Sequence, residues 1–486
     1  MFSKIHRHHL GHYFPILVLA TTCTGLLGTI IFPHNAVYVA IGTFIAIVAI
    51  IITGPAQEFR EKIASFRIMR GKASKIPKQN IPFSLIAIFT TIPLISSLSW
   101  ITLAATVIPL GLYLAPFALD AIFDILFFRR LRREAKEAFT ALSPQLILYL
   151  SGPEDTFYQV NQWIPVLERL ELKCAIVLRN APVFRQMSAT EIPVFFIRTS
   201  RDLEWAYSQG PRIVLYPNNR EKNVNSLRHS GLTHIFINHG ESDKSVNQSK
   251  MLMAYDHLFV GGRLAEERLS EAELPLRPQQ VVHVGRPQAE LALEYRHQTN
   301  KIKRILYAPT WEGGISATSY SSVNSVGLSL LQQLADSKQY EIRIKPHPLT
   351  GTSQPSAAAA LAKMRNMPAV DFYDASSSIH DLMNWSDIII CDVSAVLNEY
   401  LVTGKPIVLC NILGKDLCLE ELSRAYPSSK AAYVLQPAGS IIDILEEIES
   451  GDPLLDERRE TRLHSMGEGG ALQRFESALL KCLSNA

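Results

Sequence analysis

The chain has 486 residues, 47% of them hydrophobic, and a formal net charge of +3. This length predicts two or three folded units, and the small net charge gives no case for nucleic acid as the main partner. The six cysteines form no CxxC pair and have no regular spacing. We therefore expect neither a disulfide framework nor a zinc site.

The first part of the chain has the pattern of membrane-spanning helices. Residues 13–32 and 36–53 are apolar and carry no charged side chains, and each is long enough to cross a bilayer. A longer apolar tract, 83–119, divides into two further spans. The sequence therefore predicts an all-α transmembrane region of about four helices over 1–128. The alternative is a signal peptide over 1–32, but no small-residue cleavage site follows it.

Charges next to these spans predict their orientation. Residues 54–82 hold seven Lys and Arg against two Glu, and residues 129–137 hold five against two. Positively charged flanks of membrane helices stay on the cytoplasmic side. We therefore expect a multi-pass cell-membrane protein whose remaining domains are cytoplasmic.

From about residue 145 onward, short apolar runs alternate with helical patterns. Seven strand candidates precede a basic, polar linker at 294–304, and six more follow it. Such alternation is typical of parallel α/β sheets. The sequence predicts an α/β fold of two Rossmann-like domains, at 129–300 and 301–486. Ligands of such sheets bind outside the carboxyl ends of the strands.

Two predicted strand ends in the second domain carry groups suited to an anion. A buried strand ends on Asp392 and turns at once into a helix near Ser394, and another strand ends on Lys345 and His347. The first amides of a helix lack intrahelical partners and favour a phosphate. These positions predict a diphosphate site. The alternatives are that Ser394 is an ordinary helix cap and that Asp392 only orients the turn.

A strand end in the first domain carries a candidate base. The segment THIFINHGESDKS at 233–245 ends its apolar run at His239 and Gly240, with Lys244 just beyond. A histidine in such a place can accept a proton. If the two domains face one another, His239 would lie opposite the diphosphate site. The alternative is a structural loop histidine.

Five motifs in order give the chain a family resemblance. They are NHG with a following lysine (238–240 and Lys244), VGRPQAE (284–290), ILYAPTWEG (305–313), IKPHP (344–348) and CDVSAVLNEYLVTGKPIVL (391–409). Over roughly 145–480 the chain resembles the CDP-glycerol glycerophosphotransferase family of teichoic acid primases and polymerases. That resemblance implies a glycosyltransferase-B architecture.

The resemblance also implies roles for individual residues. The family's catalytic base corresponds to His239, and its donor-side positions correspond to His347, Ser394, Thr310 and Glu399. We add three residues to this donor and phosphate-binding set, namely Lys345, Arg286 and Asp392, and place Asn238, Gly240 and Lys244 on the acceptor side. The chain departs from the family pattern at three positions, with Asn238 in place of Trp, Glu312 in place of Arg and Ala395 in place of Ser.

The implied reaction moves glycerol phosphate from CDP-glycerol to a hydroxyl of a lipid-linked or cell-envelope glycopolymer, with release of CMP. We see no DxD motif and no metal-ligand set, so no metal or cofactor is expected to be required. Mg²⁺ bound to the diphosphate stays open. The alternatives are a nucleotide-sugar glycosyltransferase, a CDP-ribitol-dependent polyol phosphate transferase and a non-catalytic membrane-anchored binding module.

Overall fold

The computed structural model describes residues 66–69, 126–244, 249–296, 301–313, 320–374, 377–412 and 419–485, together with the single positions 34, 37 and 43. The chain forms two compact units. The smaller comprises Met1–Ala141 and Phe195–Leu203, and the larger comprises Leu142–Val194 and Glu204–Ala486.

Short strands and helices alternate along the described residues. The strands are β1 (Phe66–Met69), β2 (Leu146–Leu150), β3 (Cys174–Leu178), β4 (Val194–Ile197), β5 (Ile213–Tyr216), β6 (Thr233–Phe236), β7 (His257–Val260), β8 (Val281–His283), β9 (Arg304–Ala308), β10 (Glu341–Ile344), β11 (Val370–Phe372), β12 (Ile388–Cys391), β13 (Ile407–Cys410) and β14 (Tyr433–Leu435). All thirteen strands that the sequence predicts after residue 145 are therefore present.

The helices connect these strands and follow them to the C-terminus. They are 126–142, Phe157–Asn161, Ile164–Leu167, Ser200–Tyr207, Val224–Leu227, Arg263–Glu271, Pro287–Ala292, Gly327–Ser337, Pro355–Arg365, Ile379–Trp385, Ala395–Tyr400, Leu419–Ala425, Ile441–Gly451, Leu455–Met466 and Ala471–Asn485. Short 3-10 turns occupy Glu154–Thr156, Ala181–Gln186, Glu221–Asn223, Lys250–Ala254, Leu401–Thr403 and Pro427–Ala431.

The smaller unit has its own aromatic cluster. Phe66 of β1, Phe139 of the helix 126–142 and Phe195 of β4 lie with ring centroids 5.0 to 6.4 Å apart. Arg132 pairs with the buried Asp202. The sequence did not predict β1, because its four residues lie inside the polar stretch 54–82 that separates apolar tracts.

The larger unit contains two parallel sheets. The first runs β3-β2-β5-β6-β7-β8 and the second β11-β10-β9-β12-β13-β14, and adjacent strands within both are parallel. We call the part built on β2, β3 and β5–β8 the first lobe and the part built on β9–β14 the second lobe. The predicted α/β fold with two sheets is confirmed.

Both faces of the second sheet are covered at its centre, which explains the continuous apolar runs of β12 and β13. In β9, Ile305 and Tyr307 pack into one hydrophobic cluster and Leu306 and Ala308 into another. Successive side chains of a strand point to opposite faces. The buried part of β9, from Ile305 to Ala308, is therefore apolar at every position.

The last helix of the chain returns to the first lobe. Phe475 of the helix Ala471–Asn485 lies 5.3 Å from Trp163 and 5.8 Å from Phe259, measured between ring centroids. Arg212, just before β5, also donates to the carbonyl of Leu483. This C-terminal element therefore packs on the first sheet, although it follows all strands of the second.

Within the ranges given above, no helix is long and apolar enough to cross a membrane. The predicted spans at 13–32, 36–53 and 83–119 lie outside the described residues, apart from positions 37 and 43. The transmembrane region therefore stays a prediction.

Candidate active site

Three neighbouring strands of the second sheet deliver the predicted donor-side residues to one edge. β9 lies between β10 and β12. Thr310 follows β9, Lys345 and His347 follow β10, and Asp392 and Ser394 follow β12. Because the strands are parallel, all three carboxyl ends meet at the same edge.

The turn that presents His239 depends on Asn238. Asn238 has a positive φ of 53°, a conformation that Asn adopts more readily than most residues. Its side-chain oxygen accepts a hydrogen bond from the His239 amide at 2.8 Å, and Trp163 Nε1 donates to its carbonyl at 2.7 Å. In this structure Asn238 therefore stabilises the turn itself.

A backbone carbonyl sets the tautomer of His239. Its Nδ1 lies 2.8 Å from the carbonyl oxygen of Pro217. A carbonyl can only accept, so Nδ1 carries the hydrogen and Nε2 keeps its lone pair. Burial lowers the pKa of His239 to about 4, and the charge of Arg286 also contributes. The side chain is neutral at pH 7 and can act as a base.

His347 has the opposite arrangement. Its Nδ1 accepts a hydrogen bond from the Leu349 amide at 3.1 Å, so the neutral ring carries its hydrogen on Nε2. Burial, followed by the charge of Lys244, lowers the pKa of His347 to about 3. Trp311 stacks on the ring with centroids 6.3 Å apart. His347 is therefore a neutral hydrogen-bond donor.

Two buried lysines supply positive charge. Burial lowers the pKa of both Lys244 and Lys345 to about 8. Lys244 Nζ donates to Thr310 Oγ1 at 2.9 Å and lies 5.1 Å above the ring of Tyr320. Lys345 Nζ makes a long hydrogen bond of 3.5 Å to the Pro346 carbonyl. Lys244, predicted on the acceptor side, thus contacts a predicted donor-side residue.

Asp392 connects two loops of the second lobe. Its Oδ2 accepts from the amides of Thr310 at 2.8 Å and Ser322 at 3.1 Å. Burial raises the pKa of Asp392 to about 6. These contacts match the alternative reading of a residue that orients the turn, because backbone amides occupy one of its oxygens.

Ser394 begins the helix Ala395–Tyr400 in an extended conformation and makes no side-chain cap. Its buried Oγ has no hydrogen-bond partner among the described residues. The His239 loop lies directly against this helix start, since a Cβ added at Gly240 would come within 2.6 Å of the Ala395 Cβ. Asn398 Nδ2 also donates to the Glu241 carbonyl at 2.9 Å. The two lobes therefore meet where the base and the helix start lie.

A buried charged group lies beside these residues. Glu399 accepts a hydrogen bond from His380 Nε2 at 3.0 Å and lies 3.6 Å from Arg286 Nη2. Burial alone would raise the pKa of Glu399, but His380 and Arg286 outweigh it and lower the pKa. Within the described part of the chain, Arg286 Nε and Nη2 have no hydrogen-bond partner.

Glu312, one of the departures from the family pattern, is completely buried in the second lobe. It accepts hydrogen bonds from the amides of Gly351, Ser353 and Gln354 at 3.0 to 3.1 Å. Burial raises the pKa of this carboxyl, but these amides outweigh it and lower the pKa. Its charge is therefore held by the loop that precedes the helix Pro355–Arg365.

The structure also brings in residues that the sequence analysis missed. Tyr158 contacts the rings of both His239 and His347, and His380 holds Glu399. Neither lies in a strand-end motif. An aromatic residue and a histidine within short helices give no separate signal in the sequence.

Two parallel sheets form a two-lobed α/β fold, and the lobes meet beside His239 and Ser394. Residues 226–412 match the family model described as CDP-Glycerol:Poly(glycerophosphate) glycerophosphotransferase. This match confirms the resemblance seen in the motifs, and over these residues the chain is similar to CDP-glycerol glycerophosphotransferases.

Solved structures similar to this chain include the wall teichoic acid polymerase TagF, with a TM-score of 0.47 and 14% identity over 76% of this chain and 97% of that chain. A second is the UDP-GlcNAc 2-epimerase from Neisseria meningitidis bound to UDP-GlcNAc, with a TM-score of 0.45 and 13% identity over 69% of this chain and 100% of that chain. No curated protein matches the chain.

Proposed function

We propose that this enzyme transfers glycerol phosphate from CDP-glycerol to a hydroxyl of a lipid-linked or cell-envelope glycopolymer and releases CMP. One observation carries the proposal beyond the family match. The loop bearing His239 packs against the helix start bearing Ser394, with Gly240 against Ala395. The proposed base on the first lobe would thus lie next to the proposed phosphate-binding helix start on the second.

In the proposed step, the acceptor hydroxyl attacks the phosphorus that bears glycerol. A new P–O bond forms to the acceptor oxygen, and the P–O bond to CMP breaks, with CMP keeping the electron pair. The hydroxyl proton moves to His239 Nε2, the lone pair left accessible by the bond to Pro217. A positioned general base of this kind typically increases the reaction rate by about a hundredfold or more.

Fixed donors would stabilise the charge that builds on the phosphoryl oxygens and the departing CMP. Lys345, His347 Nε2 and Ser394 Oγ are the donors that the second lobe offers. Among the described residues, Lys345 Nζ makes one long hydrogen bond to a carbonyl, and Ser394 Oγ has no hydrogen-bond partner. Asp392 would keep its neighbouring loops in place through Thr310 and Ser322.

We also propose that residues 1–128 anchor the enzyme in the cell membrane, with the catalytic lobes cytoplasmic. The beginning of the helix 126–142 supports this arrangement. Leu126 and Phe127 are 57% and 55% exposed, and Arg129, Arg130 and Arg133 beside them are exposed. Exposed apolar and basic side chains together favour contact with anionic lipid headgroups.

Donor choice is the first test. The full chain, prepared in membranes, is offered CDP-glycerol, CDP-ribitol and a UDP-sugar in turn, and nucleotide release is measured together with the mass of the lipid-linked product. We expect CMP release from CDP-glycerol and a product heavier by glycerol phosphate units. Turnover with UDP-sugars alone would mean a glycosyltransferase instead.

The base is the second test. His239→Ala is expected to lower kcat by about a hundredfold or more with little change in KM for CDP-glycerol. His464→Ala serves as the matched control, because His464 is exposed and pairs with Glu267. Unchanged kcat in His239→Ala would show that His239 is not the base.

A further inference from the structure

Tyr158 occupies a position that the family match does not cover. It lies in the helix Phe157–Asn161 of the first lobe, outside residues 226–412. Its ring centroid is 5.6 Å from that of His239 and 5.5 Å from that of His347, with interplanar angles of 78° and 81°. Tyr158 therefore contacts both His239, the proposed base, and His347, the neutral donor of the second lobe.

A chain of hydrogen bonds fixes the direction in which the Tyr158 hydroxyl acts. Asn218 Nδ2 lies 3.2 Å from the Ser151 carbonyl oxygen, which can only accept. Asn218 therefore presents its NH₂ group, which also donates to Gln159 Oε1 at 2.8 Å. Gln159 must then direct its own NH₂ group at the Tyr158 hydroxyl oxygen, 3.2 Å away.

The Tyr158 oxygen is consequently an acceptor in this chain, and its hydrogen is left for another partner. Among the described residues, the bond from Gln159 is the one hydrogen bond of this hydroxyl. A backbone carbonyl thus determines the polarity of three side chains.

We propose that Tyr158 is a further catalytic residue, whose hydroxyl donates a hydrogen bond to the phosphoryl group transferred between His239 and His347. The inference rests on the proposed function. His239 Nε2 accepts the proton of the attacking hydroxyl, while His347 Nε2 and the Tyr158 hydroxyl both donate hydrogen bonds to the phosphoryl oxygens. Neutral donors held in place before reaction stabilise developing negative charge without reorganisation.

Tyr158→Phe tests the hydroxyl while keeping the ring between the two histidines. We expect kcat with CDP-glycerol to fall on the order of a hundredfold, as for loss of one oxyanion donor, with KM little changed. Tyr433→Phe is the control. It also removes a buried tyrosine hydroxyl, but that hydroxyl donates to Asp452 and belongs to no proposed site. Wild-type kcat in Tyr158→Phe overturns the inference.

Gln159→Glu tests the donor and acceptor directions in this chain of hydrogen bonds while Tyr158 stays in place. An ionised carboxylate accepts only, so one oxygen would still accept from Asn218 and the other would take the Tyr158 hydrogen. We expect the same loss in kcat as in Tyr158→Phe, and no further loss in the double variant, because both changes remove one interaction. Full additivity of the two losses contradicts this view.

The outcomes separate the two proposals. If the unaltered enzyme releases CMP from CDP-glycerol and His239→Ala does not, wild-type kcat in Tyr158→Phe refutes the role of Tyr158 alone. If the unaltered enzyme does not use CDP-glycerol, both proposals fail. Melting temperatures of all variants show that any loss of kcat is not unfolding. Should Gln159→Glu not fold, Tyr158→Phe decides by itself.

Discussion

His239 and His347 carry different chemistry because different backbone groups face their Nδ1 atoms. A carbonyl at Pro217 makes Nδ1 of His239 a donor, and an amide at Leu349 makes Nδ1 of His347 an acceptor. The sequence motifs identified both histidines. They did not reveal which nitrogen carries the hydrogen, because Pro217 reaches His239 only through the pairing of β5 with β6.

The pH dependence of kcat/KM follows from these groups. The base must be neutral, so activity is lost as pH falls through about 4, the pKa of His239. The lysines must be charged, so activity is lost as pH rises through about 8, the pKa of Lys345 and Lys244. We expect a plateau between these values, measured as kcat/KM for CDP-glycerol, which reports the free enzyme.

Lys345→Arg identifies the group behind the upper limb. A guanidinium keeps its charge across the accessible pH range, so the fall near pH 8 should move to higher pH if Lys345 causes it. Lys244→Arg is the companion variant, because Lys244 has a similar pKa but bonds Thr310. An upper limb that stays in place in both variants would exclude the lysines as its cause.

At the scale of elements, strand positions were predictable and helix starts less so. The apolar runs of β9, β12 and β13 identify strands because both sheet faces are buried there. The helix after β9 begins only at Gly327, and residues 323–326 before it form a turn. Asp392 accepts a hydrogen bond from the Ser322 amide, which stabilises that turn. The two residues are 70 positions apart, so no local sequence pattern reveals their interaction. Glu312 is similar, since its amide partners lie 39 to 42 residues away.

Gly240 is expected to control how closely the His239 loop approaches the helix Ala395–Tyr400. In Gly240→Ala, the new Cβ would lie 2.6 Å from the Ala395 Cβ, so the loop must shift away. Displacement of about 1 Å at a reacting group costs roughly a hundredfold in rate. We therefore expect kcat to fall by about that factor, as measured by CMP release, with the protein still folded.

Ala395→Gly supplies the compensating change. Removing the opposing Cβ makes room, so the double variant Gly240→Ala with Ala395→Gly should recover much of the lost kcat. Ala395→Gly alone, at the first helical position, should cost at most about 1 kcal/mol in the free energy of unfolding. If the double variant is no more active than Gly240→Ala, close approach is not the function of this glycine.

At the scale of the molecule, the last helix of the chain stabilises the turn that carries His239. Phe475 packs on Trp163, and Trp163 Nε1 holds the carbonyl of Asn238. The helix Ala471–Asn485 thus contributes to the placement of His239 from a point more than 200 residues further along. Sequence patterns describe local periodicity and therefore could not predict this return to the first lobe.

The membrane proposal leads to a test that separates spanning helices from surface attraction. Basic residues of the helix 126–142 would bind anionic lipid through charges that salt screens. Spans at 13–32, 36–53 and 83–119 would instead keep the protein in the membrane by burying apolar side chains in the bilayer. We expect the full chain to stay with membranes after washing in 1 M salt, where the screening length is about 3 Å. A variant with Arg129, Arg130 and Arg133 changed to Gln should stay equally well. Release of the unaltered chain by salt would mean that it is bound at the surface by charge rather than anchored through its first 128 residues.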